Sequence, residues 1–251
     1  MKNPVIGAII GDVVGSRFEF NNIKHKCFRL VHRRSHYTDD TIMTLAVYDA
    51  LSNNKNIIET MQLYYRRYPY YGYGGRFLYW INMNNPVPYY SCGNGAAMRI
   101  SSVGIIAQSI DQVKILSRYV TEVSHNHPEG LKAAECVAIL TYMAYNGYNK
   151  QDIKNMALLY YPEISQFKYR NLVKYYTFTE LSQDSVPQAI YCFLISHSFE
   201  DCLRTTISIG GDSDTLAAIS CAIAGAYYNI PYKLWNQVKE KLPSKMLDNL
   251  F

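Results

Sequence analysis

The chain has 251 residues, 49% of them hydrophobic, and a formal net charge of +5. That is enough apolar sequence for a sizeable core within one domain, 1–251, while the scattered lysines and arginines form no stripe of the kind that binds nucleic acid. Six cysteines without a C-x-x-C pair, several inside apolar runs, read as packed free thiols and point to a reduced, cytoplasmic setting. The apolar start from Val5 to Ile10 is too short to span a bilayer and is interrupted by Asp12, so neither export nor membrane insertion is expected.

Gly7, Gly11 and Gly15 recur every four residues and predict a central helix with one smooth face that another backbone can approach closely. A polar turn, Arg17 to Asn22, follows; on residue type alone its Glu19 either faces solvent or points into a site at the helix end. Thr38-Asp39-Asp40-Thr41 opens directly into an apolar run and a helix over about 41–51. The spacing of Ile58, Met61, Leu63 and Tyr64 predicts a helix over 57–68. Glycines and prolines then break the chain as far as Ser91, the composition of a long binding loop. Gly93-Asn94-Gly95 is a glycine turn ahead of a helical pattern over 100–107, an arrangement whose backbone N–H groups can hold a phosphate. It lacks the third glycine and the preceding strand of a dinucleotide fingerprint.

A helix over 113–123 ends at Ser124-His125-Asn126-His127-Pro128, before another over 131–145. The His-x-His spacing does not put two ligands on one helix face, so a polar, substrate-facing turn is the better reading than zinc. A short helix over 153–159 leads into a polar, aromatic and poorly periodic stretch, 160–184, read as a loop. Ser185-Val186-Pro187 is expected to open a helix over 188–196 with the proline near its first turn. Another follows over 199–209, and then Gly210-Gly211-Asp212-Ser213-Asp214-Thr215 precedes the apolar helix 216–228. The tail, 231–251, adds one or two amphipathic helices. No alternating strand pattern occurs, and the fold class is all-α: a multi-helix bundle.

The Asp40 and Asp212 stretches share one composition, two carboxylates and a hydroxyl in front of a buried helix. Taken singly, each reads first as a helix cap, because Asp, Ser and Thr oxygens accept the orphan N–H groups there. Taken together they read as halves of one site. Four converging carboxylates repel unless cations neutralise them, and hard cations suit oxygen ligands, with two Mg²⁺ ions the best fit and Mn²⁺ the alternative. An EF-hand does not fit, since Asp212-Ser213-Asp214 runs into a helix with no loop glycine or distal glutamate.

The ordered motifs Gly7-Ala8-Ile9-Ile10-Gly11-Asp12 with Gly15-Ser16 and Glu19, Tyr37 to Thr41, Ser91 to Arg99, Ser124-His125, Ser185-Val186-Pro187 and Gly210 to Thr215 span nearly the whole chain. In them the sequence resembles the ADP-ribosylglycohydrolase family. The resemblance implies an all-helical bundle with a central cleft for two metal ions. It assigns Thr38, Asp39 and Asp40 to one ion, Asp212 and Thr215 to the other, and Asp214 to both. It brings Glu19 next to the metals and gives the diphosphate and ribose to Ser91, Gly93, Asn94, Gly95 and His125. It further implies Mg²⁺-dependent hydrolysis of the bond between ADP-ribose and a protein or small-molecule acceptor, with Asp39, Asp40 or Glu19 as the base; a monomer is the default expectation, which no motif fixes. The alternative is an inactive ADP-ribose-binding or structural protein on the same scaffold, which the intact set of ligands argues against. Cys92 stands where one animal branch has an adenine-stacking tyrosine, so stacking falls to Phe77, Tyr89 or Tyr90.

Overall fold

The structure is a computed structural model that describes residues 1–248. In chain order the helices are α1 (Pro4–Gly15), α2 (Asp39–Ser52), α3 (Ile57–Arg67), α4 (Gly75–Ile81), α5 (Gly95–Met98), α6 (Val103–Ile106), α7 (Ile110–Thr121), α8 (Pro128–Tyr145), α9 (Lys150–Tyr160), α10 (Tyr169–Tyr175), α11 (Ser182–Ile195), α12 (Phe199–Ser208), α13 (Ser213–Tyr227) and α14 (Tyr232–Lys239). Among the described residues there is no sheet, only an isolated bridge between Gly93 and Leu181, so the fold is all-α. No helix of the described residues is long and apolar enough to cross a membrane.

The helix starts follow local chemistry. Asn3, Asn56, Ser109, Asn149 and Ser198 each accept an N–H of the first turn with a side-chain oxygen, which satisfies a donor the helix itself cannot. Amphipathic helices such as α3, α7, α12 and α14 bury one face. By contrast, every residue of α1 is buried, and α13 is buried along all but its last residue, as expected of helices apolar on all sides.

These two central helices pack on each other, with α8, α11 and α12 around α13 and α2 against α1. The glycine face makes that contact. A Cβ at Gly7 would strike the Cys221 carbonyl, one at Gly11 the Ala217 carbonyl, and one at Gly15 would lie 2.6 Å from Asp214 Cα. Backbone therefore meets backbone, and the C-terminal end of α1 lies against the N-terminal end of α13. The site is built at that junction.

Four expectations about elements need correction. The 100–107 pattern is not one helix: α5 and α6 are separate single turns, and the apolar spacing survives in the burial of Ile100 and Val103. The helix holding Ser185-Val186-Pro187 starts earlier, at Ser182, because Ser182 donates from N to Cys92 O at 2.9 Å and from Oγ to Gly93 O at 2.8 Å. Pro187 consequently lies inside α11 rather than in its first turn. Residues 69–91 contain α4, and 160–184 contain a 3₁₀ turn, Pro162–Gln166, and α10. The tail expectation holds for α14 and a 3₁₀ turn, Ser244–Met246; its last residues, 249–251, lie outside the described ones.

Candidate active site

Asp12 projects from the last turn of α1 with no exposure to solvent. Its Oδ2 accepts from Thr38 N at 2.9 Å and Thr41 N at 3.0 Å, and also from the Thr41 hydroxyl; its Oδ1 accepts from Thr38 Oγ1 at 2.9 Å. Burial pushes the Asp12 pKa up while these four donors pull it back. The start of α2 is thereby pinned to α1. Thr38 also caps α2, its Oγ1 accepting from Asp40 N at 3.3 Å.

The start of α13 is held differently. Gly210 and Gly211 have φ of +72° and +79°, a region that L side chains rarely occupy. Asn22 grips that turn, accepting from Gly211 N at 2.7 Å and donating to Gly211 O at 2.8 Å across 189 positions of sequence. Asp212 occupies the N-cap position of α13 but makes no capping bond. Its Oδ2 accepts from Asn94 Nδ2 at 2.8 Å instead. The cap reading therefore holds for Thr38 and fails for Asp212, whose carboxylate is turned into the cleft.

The two starts, 175 positions apart, meet directly: Thr215 Oγ1 donates to Asp40 Oδ2 at 3.2 Å. Asp40 Oδ1 is buried and has no hydrogen-bond partner. Glu19, held beside α13 by the same Asn22 turn, offers a carboxylate oxygen within 4.8 Å of one each from Asp212 and Asp214, a cluster that could hold a metal ion. Burial pushes Asp39, Asp40 and Asp214 well above the usual carboxylate range, and repulsion from their acidic neighbours adds to it. Burial, then Asp212, raises Glu19 to about 7. Crowded acids of this kind are what cations relieve.

The opposite wall is neutral to basic. The 91–95 turn is tied to 180–182 by Asn94 N to Glu180 O at 2.8 Å and by the Ser182 bonds. His125 sits behind the glycines, and burial together with Arg99 and Arg76 drives its pKa well below the ordinary value. The cleft between the two walls holds about 310 Å³, within the size range of small-molecule sites.

Glu19, Thr38, Asp39, Asp40, Ser91, Gly93, Asn94, Gly95, His125, Asp212, Asp214 and Thr215 all line this one cleft. The solvent alternative for Glu19 is thus set aside. Of the three candidate stacking rings, Phe77 and Tyr89 line the cleft, whereas Tyr90 is exposed and packs edge-on against His127 at 4.7 Å. His127 itself caps α8, accepting from Glu129 N at 3.1 Å. Sequence reasoning missed Asp12, Asn22, Arg99, Phe178 and Glu180. Asp12 alone carried a signal, a carboxylate in an otherwise apolar helix.

A family model described as ADP-ribosylglycohydrolase matches residues 2–250. The sequence is 27% identical to ADP-ribosylhydrolase ARH3 of Mus musculus, with 89% of this chain and 82% of that protein covered. It is 23% identical to the putative ADP-ribosyl glycohydrolase L543 of Acanthamoeba polyphaga mimivirus, covering 93% and 88%. A solved structure described as an ADP-ribosylglycohydrolase-related protein complex shares the fold, with a TM-score of 0.69 over 95% of this chain and 98% of that one at 21% identity. With the model spanning nearly every residue, the chain belongs to the ADP-ribosylglycohydrolase family.

Proposed function

We propose that the protein is a Mg²⁺-dependent hydrolase that cleaves the glycosidic bond between ADP-ribose and an acceptor, reversing ADP-ribosylation. The observation that carries this reading is the meeting of the Asp40 and Asp212 stretches, with Asp40 Oδ1 buried and unpaired between them. A buried carboxylate oxygen without a donor fits a cation, and a donor set of oxygens alone fits a hard one, Mg²⁺ or Mn²⁺. Thr38, Asp39 and Asp40 would hold one ion and Asp212 and Thr215 a second, with Asp214 shared. Bound there, the ions supply the positive charge that orients ribose hydroxyls and acidifies a water.

The chain's own residues account for the remaining roles. Arg76 and Arg99 give the opposite wall a positive potential that suits a diphosphate, and the Gly93-Asn94-Gly95 turn lets backbone approach it. Phe77, Tyr89 and Phe178 offer apolar faces for a base. Glu19, whose pKa burial and the nearby Asp212 raise in the metal-free protein, is a carboxylate that can accept a water proton, and Asp39 and Asp40 are the other two in position. The free thiols support a cytoplasmic setting, and a single copy of the chain carries every residue named.

The test is incubation of the purified protein with arginine-linked and serine-linked ADP-ribosylated substrates, in Mg²⁺ or EDTA, with Asp212→Ala beside the wild type and free ADP-ribose as the readout. Release that needs both Mg²⁺ and Asp212 is expected and names the linkage. Tight ADP-ribose binding without release from either would favour a binding module. Neither release nor binding would overturn the ADP-ribose reading.

A further inference from the structure

Arg99 ends the Ser91 to Arg99 stretch and is 1% exposed, yet no carboxylate forms an ion pair with it among the described residues. Its guanidinium lies 5.6 Å from the centre of the Phe77 ring, and its Nε has no hydrogen-bond partner. A buried, unpaired cation is costly to keep, which raises the question of what Arg99 does there. Its Nη2 donates to Ser124 Oγ at 2.8 Å, and Ser124 Oγ lies 2.8 Å from His125 Nδ1.

The direction of the second bond follows from the first. A guanidinium can only donate, so Ser124 Oγ is an acceptor toward Arg99 and still has its own proton to place. Ser124 is fully buried, and among the described residues its hydroxyl meets no other side-chain partner than Arg99 and His125. Were Nδ1 protonated and donating, the hydroxyl proton would be stranded without an acceptor, a penalty that buried groups avoid. Nδ1 therefore accepts from Ser124, and the ring proton resides on Nε2. That atom faces the glycine turn: a Cβ at Gly95 would lie 3.3 Å from it and one at Gly93 3.8 Å. Tyr89 steadies the ring edge-on, 5.8 Å between centroids.

We infer that Arg99 is a positioning residue which, through Ser124, fixes His125 as the tautomer that presents an Nε2–H donor to the cleft. Burial and the two nearby arginines keep the ring neutral, so the donor persists across the physiological range without adding a charge. The consequence for ligand binding rests on the proposed function. An N–H over the turn can donate to a phosphate or ribose oxygen, whereas the other tautomer would turn a lone pair toward an anion.

The experiment is side-chain ¹⁵N spectroscopy of the full-length, ligand-free protein labelled at histidine, followed by ADP-ribose titration of the same samples. The wild type is expected to show His125 protonated on Nε2, with a hydrogen-bonded Nδ1. In Ser124→Ala the Nδ1 signal should move to that of an imidazole nitrogen with no hydrogen bond, and ADP-ribose affinity should fall about tenfold, the loss expected for one hydrogen bond to a charged group. Arg99→Met should disturb the same signal, and Arg99→Lys, which restores a donor, should recover it. A wild type protonated on Nδ1, or a Ser124→Ala signal unchanged from wild type in a folded sample, would overturn the inference. Wild-type protein with the expected spectrum and no affinity for ADP-ribose would instead overturn the functional reading while leaving the relay in place.

Discussion

The starts of α2 and α13 have nearly the same composition and are held in opposite ways. Thr38-Asp39-Asp40-Thr41 is tethered to the core: Asp12 accepts four donors from it, and Thr38 caps the helix conventionally. Gly211-Asp212-Ser213-Asp214 is tethered to loops, by Asn22 at the glycine turn and by Asn94 at Asp212. The first arrangement anchors the α2 half of the cleft to α1, one of the two central helices, through a single buried side chain. The second leaves the other half fixed to segments that themselves line the cleft. Carboxylates of one residue type thus divide into a structural one, Asp12, and those proposed to hold the metal ions, and the division is open to test.

The largest effect is expected on turnover. Asp214→Asn should lower metal-dependent ADP-ribose release at least about a thousandfold, the scale of losing cation-based charge stabilisation, while raising the metal-free melting temperature because a crowded carboxylate has gone. A variant that lost both activity and stability would place Asp214 with Asp12 and erase the distinction. Next comes Asp12→Ala, which strands Thr38 N and Thr41 N in a buried setting. Roughly 3 kcal/mol of stability should be lost, at about 1–3 kcal/mol per unsatisfied group, read as a lower midpoint in urea at unchanged slope. Intact stability would show that the α2 start is not anchored to the core.

The third prediction concerns pH. Glu19 is raised to about 7 from its ordinary value of 4.5, so in metal-free protein the folded state holds its proton over a range in which the unfolded chain has released it. The stability Glu19 contributes is then fully present below about 4.5 and is lost as pH rises through about 7. The metal-free melting temperature should fall over that window, Mg²⁺ should reverse the fall, and Glu19→Gln should make it shallower, the raised aspartates supplying the remaining slope. A metal-free profile with the same slope in Glu19→Gln would remove Glu19 from the cluster.

How much of this was readable in the sequence depended on where each residue's partner lies. Thr38 to Asp40, Gly93 to Gly95 and Asp212 to Thr215 were legible because their own neighbours announce them, paired carboxylates before an apolar run or glycines before a turn, whereas Glu19 came only with the family resemblance. The central α1 was legible from the four-residue glycine spacing, which only a close helix contact rewards. Asn22 and Arg99 were not, since each is polar in a region where polar residues need no explanation, and their partners are 189 and 25 positions away. Phe178 and Glu180 sit in an aperiodic stretch whose backbone is organised by pairing with 92–94 rather than by its own pattern. The short α4 and α10 fall among glycines, prolines and tyrosines: α4 buries Phe77, Trp80 and Ile81 at helical spacing but over only seven residues, and α10 has no buried residue at all.

The smallest effect is the most direct test of how the halves are coupled. Thr215→Val keeps the shape of the side chain and removes only the donor to Asp40 Oδ2. Because that bond joins the two helix starts through side chains alone, its loss should cost about 1 kcal/mol and lower the melting temperature by roughly 2–4 °C in a chain of this length. The informative comparison is with Thr38→Val, which also breaks the bond to Asp12 Oδ1 and the cap on Asp40 N and should therefore destabilise more. Calorimetric titration with Mg²⁺ separates the two roles, since both threonines offer an oxygen to the site. If Thr215→Val lowers Mg²⁺ affinity by more than its loss of stability explains, the α13 hydroxyl is a ligand as well as a tie. An affinity equal to wild type would leave it as a tie alone.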